Sequence, residues 1–263
     1  TEDQAYVLKQ LVHDIAHDRP DAVIVAGDIY DRAVPPIEAV ELLNDTLEKI
    51  VLELDIPVLA ISGHHDSPDR LAFGRKMMES RGLYIAGNLR NGVKTVRLID
   101  TSGEVHFHLL PYADPAFVRH FYSDDEIRTH NDAMQKLVEH LKLDPKARHV
   151  CVGHAFVTPH GEARENTSDS ERPLSIGGAE HVHAEHFASF HYTALGHLHQ
   201  RHYVHRPNIR YAGSPLKYSA SEAAHNKGYT VVEIDEDGSV TCEERKLNPK
   251  RDLVKIEARM EDI

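Results

Sequence analysis

Four short clusters of glycine followed by metal-capable side chains each stand directly behind an apolar run, and this recurrence constrains the chain more than any other feature. The clusters are Gly27-Asp28, Gly63-His64-His65-Asp66, Gly153-His154 and Gly196-His197-Leu198-His199. Short apolar runs bounded by glycine read as buried strands. In an open α/β sheet the carboxyl ends of the strands share one rim, where ligands bind, and glycine lets the backbone turn sharply there. The rim should therefore collect Asp28, His64, His65, His154, His197 and His199. One carboxylate among several imidazoles suits Mn, Fe or Zn better than Mg or Ca, which favour oxygen ligands. Singly, each residue has an ordinary explanation: Asp28 as a turn aspartate, His154 as a buried histidine. His197 and His199, two apart on an extended segment, point to one side. Four clusters at four strand ends point to a metal site.

The surrounding pattern supports such a sheet. Helical spacing of Val7, Leu8, Leu11, Val12 and Ile15 covers residues 3–18, and a buried strand follows at 22–26. Pro35-Pro36 opens a helix reaching about Leu52, 58–61 is the next strand, a helix runs over 69–81, and 83–86 is again a strand. Alternating strands and helices imply a mostly parallel sheet. Beyond residue 90 the pattern changes to a strand pair at 93–99 and 105–110, a helix over 124–143 and a buried strand at 149–156. Residues 157–180 read as one long polar loop, of the kind that is usually functional or mobile. Strands at 192–195, 201–205 and 209–211 precede a hairpin of 229–234 with 240–246, and another strand begins at 252. No internal repeat or linker is visible, so 1–248 is expected to form one domain and 249–263 the start of a further region.

Composition limits the partners. Thirty basic against 42 acidic residues give a net charge of −12, which argues against non-specific nucleic-acid affinity of the isolated chain. It does not argue against phosphodiester chemistry, because two bound divalent cations reverse the local sign. Two cysteines, Cys151 and Cys242, make no disulfide framework, so the cytoplasm is the expected compartment. No apolar run approaches the roughly 18 residues that a membrane span requires.

Gly27-Asp28-Ile29-Tyr30-Asp31-Arg32, followed by the other three clusters in this order, resembles the motif set of the calcineurin-like metallophosphoesterases over nearly the whole chain. Three further stretches are similar to a bacterial DNA-nuclease branch of that family: Ser67-Pro68-Asp69-Arg70-Leu71, Tyr192 to His199, and Tyr211-Ala212-Gly213-Ser214-Pro215-Leu216-Lys217-Tyr218-Ser219. The resemblance implies a four-layer α/β/β/α sandwich with two mixed sheets. It also implies two divalent metal ions, Mn2+ being the expected species, with Asp28 bridging them. His154, His197 and the residue at 64 would hold one ion and His199 the other. His65 would act as an acid or stabilise charge on the phosphate, with Asp66 orienting it. The implied activity is exonuclease and endonuclease cleavage of DNA ends and hairpins in repair, recombination and replication. The implied assembly is a homodimer joined to an ATPase subunit in a heterotetramer.

Two departures from the family pattern bear on this. His64 stands where the family has asparagine, and no Asp-x-His motif precedes Asp28 to complete the first metal site. With Asp28 and His199 alone on that ion, the chain as written is expected to be nearly inactive. The rival readings are a phosphatase or phosphodiesterase acting on a small phosphoester, and a scaffold subunit that has lost catalysis. Elsewhere, His181, His183 and His186 read as a solvated, non-ligating surface. Asp31 and Arg32 read as a supporting network, and Lys217 and Tyr218 as either substrate contacts or loop structure.

Overall fold

The computed structural model describes residues 2–160, 167–171, 174, 180–256 and 258–259. The first half builds helix α1 (Glu2–Asp18), strand β1 (Val23–Ala26), helix α2 (Ile37–Glu48), strand β2 (Val58–Ile61), short helices α3 (Pro68–Leu71) and α4 (Arg75–Glu79), and strand β3 (Leu83–Ala86). The strands pair in parallel in the order β1-β2-β3. Alternation sorts their side chains between two faces. Val58 packs outward with Ile15, Ile50, Val51 and Ile56 from α1 and the segment after α2, whereas Leu59 and Ile61 face inward. Val58, Leu59 and Ile61 are fully buried, each contributing about 1.5–3 kcal/mol.

The second half supplies β4 (Lys94–Asp100), β5 (Gly103–Leu110), α5 (Pro115–Tyr122), α6 (His130–Glu139), β6 (Arg148–His154), β7 (Phe156–Thr158), β8 (His181–His183), β9 (Tyr192–Gly196), β10 (His202–Val204) and β11 (Arg206–Tyr211). Six of these strands form a sheet ordered β10-β11-β9-β6-β5-β4, with a parallel centre and an antiparallel strand at each edge. Val105, Phe107, Leu109, Val150 and Val152 pack against Leu59 and Ile61 of the first sheet. The opposite face, with Leu110, Cys151, Leu195 and Tyr211, is covered by Val118 of α5 and Ala133, Met134 and Leu137 of α6. The layers are therefore α/β/β/α. Among the described residues the first sheet is parallel throughout, so only the second is mixed. β12 (Gly228–Ile234) and β13 (Val240–Lys246) form a separate antiparallel hairpin, tied to α1 where the Tyr229 hydroxyl donates to Asp14 at 2.8 Å.

Several expected elements differ in extent. The helix over 69–81 is broken at Gly74, whose φ of +69° ends α3 and starts α4. The helix over 124–143 is shorter, because Thr129 and Asp132 close a reciprocal capping box that fixes its start at His130. α5 is an addition to the expected elements, although Asp114 followed by Pro115 is a start signal; the Asp114 carboxylate accepts the N–H of Ala116 at 2.8 Å. The span 157–180 begins inside β7, which pairs in parallel with β8 just beyond the end of the span; residues 161–166, 172–173 and 175–179 of that expected loop lie outside the described residues. The expected solvated histidine cluster is half-buried instead. Asn131 Oδ1 accepts the His183 N–H at 3.0 Å and lies 2.8 Å from His186 Nε2, fastening both to α6. No strand forms among the described residues from 252 onward.

A candidate metal centre at the strand ends

β1 and β2 of the first sheet and β6 and β9 of the second end at one rim, where the glycine-led clusters meet. Asp28, His64, His154 and His197 each present a ligand atom, and these atoms lie within 4.8 Å of one another. Asp28 Oδ2 is 3.3 Å from both His64 Nδ1 and His154 Nε2, and 3.9 Å from His65 Nδ1. The approach requires small residues. Gly27 has a φ of +86°, and a Cβ there would overlap the His154 ring; a Cβ on Gly63 would overlap the Asp28 carboxylate. Asp28 and His197 themselves hold positive φ values of 45° and 106°, a strain that such sites tolerate only when their surroundings impose it.

The hydrogen bonds aim the side chains. A carbonyl oxygen can only accept, so His154 Nδ1, 2.9 Å from the oxygen of Ala26, carries the ring hydrogen, and Nε2 is left facing Asp28. Burial, reinforced by His154 and His64, holds the His197 imidazole well below its usual pKa and therefore neutral. His197 Nδ1 is buried without a hydrogen-bond partner, a costly condition unless another group meets it. Burial opposes ionisation of Asp28, but the adjoining His154 and His64 imidazoles outweigh it and keep the carboxyl far below the usual range. An ionised carboxylate and three imidazoles, one of them with an orphaned ring nitrogen, form a donor set that fits a transition-metal ion.

The remaining expected residues lie around this group. The His65 ring centroid is 4.1 Å from that of His64, and its backbone N–H donates to Asp28 Oδ1 at 3.1 Å. Asp66 braces the rim: its carboxylate accepts N–H groups from Gly63 at 2.8 Å and from Ile29 and Tyr30 at 3.0 Å, joining the loops after β1 and β2. Burial nevertheless pushes its carboxyl above the ordinary range. His199 is not part of the four-residue group. Its Nδ1 lies 2.9 Å from both Glu222 Oε1 and Ser170 Oγ, and the ring of Tyr218 stands edge-on, 5.8 Å away. Lys217 serves the loop, donating to the carbonyl of Ala223 at 2.7 Å. Asp31 and Arg32 pair with each other at the surface. Sequence reasoning missed Glu222, Lys227, Ser170 and Glu171. Their only signal is that Glu222 and Lys227 follow shortly after the Gly-Ser-Pro-Leu-Lys-Tyr-Ser stretch.

Two layers of sheet with a carboxylate–imidazole group on their shared rim define a metallophosphoesterase architecture, and residues 1–201 match the family profile of the calcineurin-like phosphoesterases. The chain belongs to that family. It is similar to the SbcD subunit of the nuclease SbcCD from Staphylococcus epidermidis, 38% identical over 264 residues that cover 100% of this chain and 68% of that protein. It is also similar to the protein of the same name from Staphylococcus saprophyticus subsp. saprophyticus, 37% identical over 263 residues, 99% of this chain and 67% of that protein. No helix among the described residues is long and apolar enough to cross a membrane.

Proposed function

We propose that this chain carries the catalytic core of a metal-dependent DNA nuclease that hydrolyses phosphodiester bonds. The observation that carries this reading is the convergence of Asp28, His64, His154 and His197 on one point of the rim, and the similarity to two nuclease subunits supports it. Asp28, His64, His154 and His197 would hold one ion, and Asp28 with His199 would contribute to a second. Two ions, Mn2+ in this proposal, can lower the pKa of a bound water and neutralise the phosphate and the leaving oxygen.

The protein's own residues do the rest. The Asp28 carboxylate stays ionised, the His154 ring is fixed by the Ala26 carbonyl, and His197 is kept neutral by burial. His65 stands beside the group with its side chain only 12% exposed. There it can deliver a proton to the leaving oxygen or stabilise the phosphate charge, as general acids do. The net charge of −12 fits a core whose grip on DNA comes largely from a partner. We propose an SbcC-type ATPase for that role, bound to a homodimer of this protein and acting in the cytoplasm on broken or hairpin DNA ends in repair and recombination.

The test is release of label from end-labelled duplex and hairpin DNA by the full-length protein with Mn2+, alongside a small phosphomonoester. Cleavage of DNA that is lost in His154→Ala supports the reading. Hydrolysis of the small ester with intact DNA would replace it with a phosphatase.

A further inference from the structure

His199 is held on every side by a buried network that plays no part in the four-residue metal group. Its N–H donates to Glu171 Oε1. Its carbonyl accepts from Lys227 Nζ at 2.8 Å and from the Ser214 N–H at 3.1 Å. Its ring Nδ1 meets Glu222 Oε1 and Ser170 Oγ, both at 2.9 Å.

Glu222 is the hub of this network, and its side chain is fully buried. One carboxylate oxygen takes His199 Nδ1 and the hydroxyls of Ser168 and Ser170. The other takes the ammonium of Lys227 and the Tyr218 N–H. Lys227 is itself 5% exposed and spends its three hydrogens on Glu222, the Ser214 hydroxyl and the His199 carbonyl. A buried ion pair is weak evidence of stabilisation, since desolvation offsets most of its attraction. Here one end of the pair grips the ring of a single histidine and the other end its backbone.

An ionised carboxylate has no hydrogen to give. The Nδ1 beside it must therefore carry the ring proton, which leaves Nε2 as the lone-pair nitrogen. Carboxylates behind ligating imidazoles fix tautomer and ring orientation in this way and raise ligand basicity.

We propose that Glu222, neutralised by Lys227 and capped by Ser168 and Ser170, is a positioning residue that fixes His199 as the Nδ1–H tautomer and directs its Nε2 to the second metal ion. This inference rests on the proposed two-metal reading. It adds that the segment 167–171, pinned to Glu222 through both serines and to Ser221 through the Asp169 N–H at 3.0 Å, belongs to the support of that ion.

The experiment uses the full-length protein with 15N-labelled histidine, and compares wild type with Glu222→Gln, which keeps the shape of the side chain and removes its charge. Long-range 1H–15N correlation spectra of the metal-free protein report the tautomer of His199, and calorimetric titration reports Mn2+ binding. We expect a pure Nδ1–H form in wild type and a mixture of tautomers in the variant. Mn2+ binding at the weaker site should drop by about tenfold to a hundredfold in the variant. Should Glu222→Gln not fold, the double variant Glu222→Leu/Lys227→Met removes both charges at similar volume and carries the same two measurements. An unchanged tautomer, with Mn2+ affinity within about twofold of wild type, overturns the proposal while leaving the two-metal reading intact. Wild-type protein that binds no Mn2+ overturns the two-metal reading, and the proposal with it.

Discussion

His154 gives its Nδ1 hydrogen to the carbonyl oxygen of Ala26, 2.9 Å away, and thereby turns Nε2 toward Asp28 Oδ2 at 3.3 Å. The bond crosses between the two sheets, from the end of β6 to the end of β1. The sandwich itself thus sets which nitrogen is offered to a cation.

Replacing His154 by alanine removes that nitrogen and leaves Asp28 with one less imidazole. Mn2+ affinity should fall by more than the roughly tenfold to hundredfold that loss of a merely supporting residue costs, and DNA cleavage should fall with it. Calorimetric Mn2+ titration of the purified variant checks the first, and the labelled-duplex assay the second. Full Mn2+ affinity in His154→Ala would remove this residue from the ligand set.

Gly63→Ala places a methyl group on top of the Asp28 carboxylate and the Asp28 backbone nitrogen. Neither can retreat easily, because Asp28 is held by His65 and Asp66 holds the neighbouring loop. Overpacking of this kind costs about 1–3 kcal/mol. The variant should unfold at a lower urea concentration and bind Mn2+ more weakly. A variant with wild-type values in both would mean that the two loops sit further apart than the structure places them.

The parts of this arrangement that are legible in the sequence share a local cause. Each strand end announces itself through an apolar run and a glycine, so Asp28, His64, His154 and His197 can be gathered on one rim from the sequence alone. Glu222 cannot be found in that way. It lies 23 positions from His199, in a short turn with no periodic pattern, and reaches the ring only because β9 and the loop after β11 are folded together. The same holds for the half-buried His183 and His186: their partner, Asn131, is on a helix 52 and 55 residues earlier. The short α5 and the break at Gly74 are written in the sequence as Asp-Pro and as an isolated glycine. Apolar spacing alone favours longer helices over 69–81 and 124–143, and there the isolated glycine and the Thr129–Asp132 capping box overrule it.

Acid should destabilise the fold through a second group of histidines, away from the metal site. His108 is 1% exposed; its Nε2 lies 3.0 Å from His149 Nδ1, its Nδ1 3.0 Å from the Thr95 hydroxyl, and His106 stands nearby against Glu104. Burial, with His149 and His106 adding to it, pushes its pKa down to about 4 from 6.5. The unfolded chain therefore takes up this proton first as the pH falls. Stability is complete above pH 6.5 and declines between 6.5 and 4, by about 1.4 kcal/mol per pH unit and about 3 kcal/mol in all. Urea unfolding at pH 7.5, 5.5 and 4.5 in the absence of metal measures it, and His108→Gln should flatten the slope. An equal slope in that variant would place the acid sensitivity elsewhere.

His65 should separate chemistry from binding. Its ring lies next to Asp28 and His64, but the hydrogen bond that it gives to the Asp28 carboxylate comes from its backbone N–H, at 3.1 Å. His65→Ala retains that N–H and all four residues of the metal group. Mn2+ affinity and thermal midpoint should therefore stay close to wild type. If the ring donates a proton to the leaving oxygen or stabilises charge on the phosphate, the rate of DNA cleavage should fall by about 10²–10⁴-fold, mostly in kcat with little change in KM. A substrate with a better leaving group, such as a nitrophenyl phosphodiester, needs less help from an acid, so the deficit should shrink on it if protonation is the lost contribution. An equal deficit on both substrates would assign the ring to phosphate stabilisation. Loss of Mn2+ along with activity would make His65 a ligand instead.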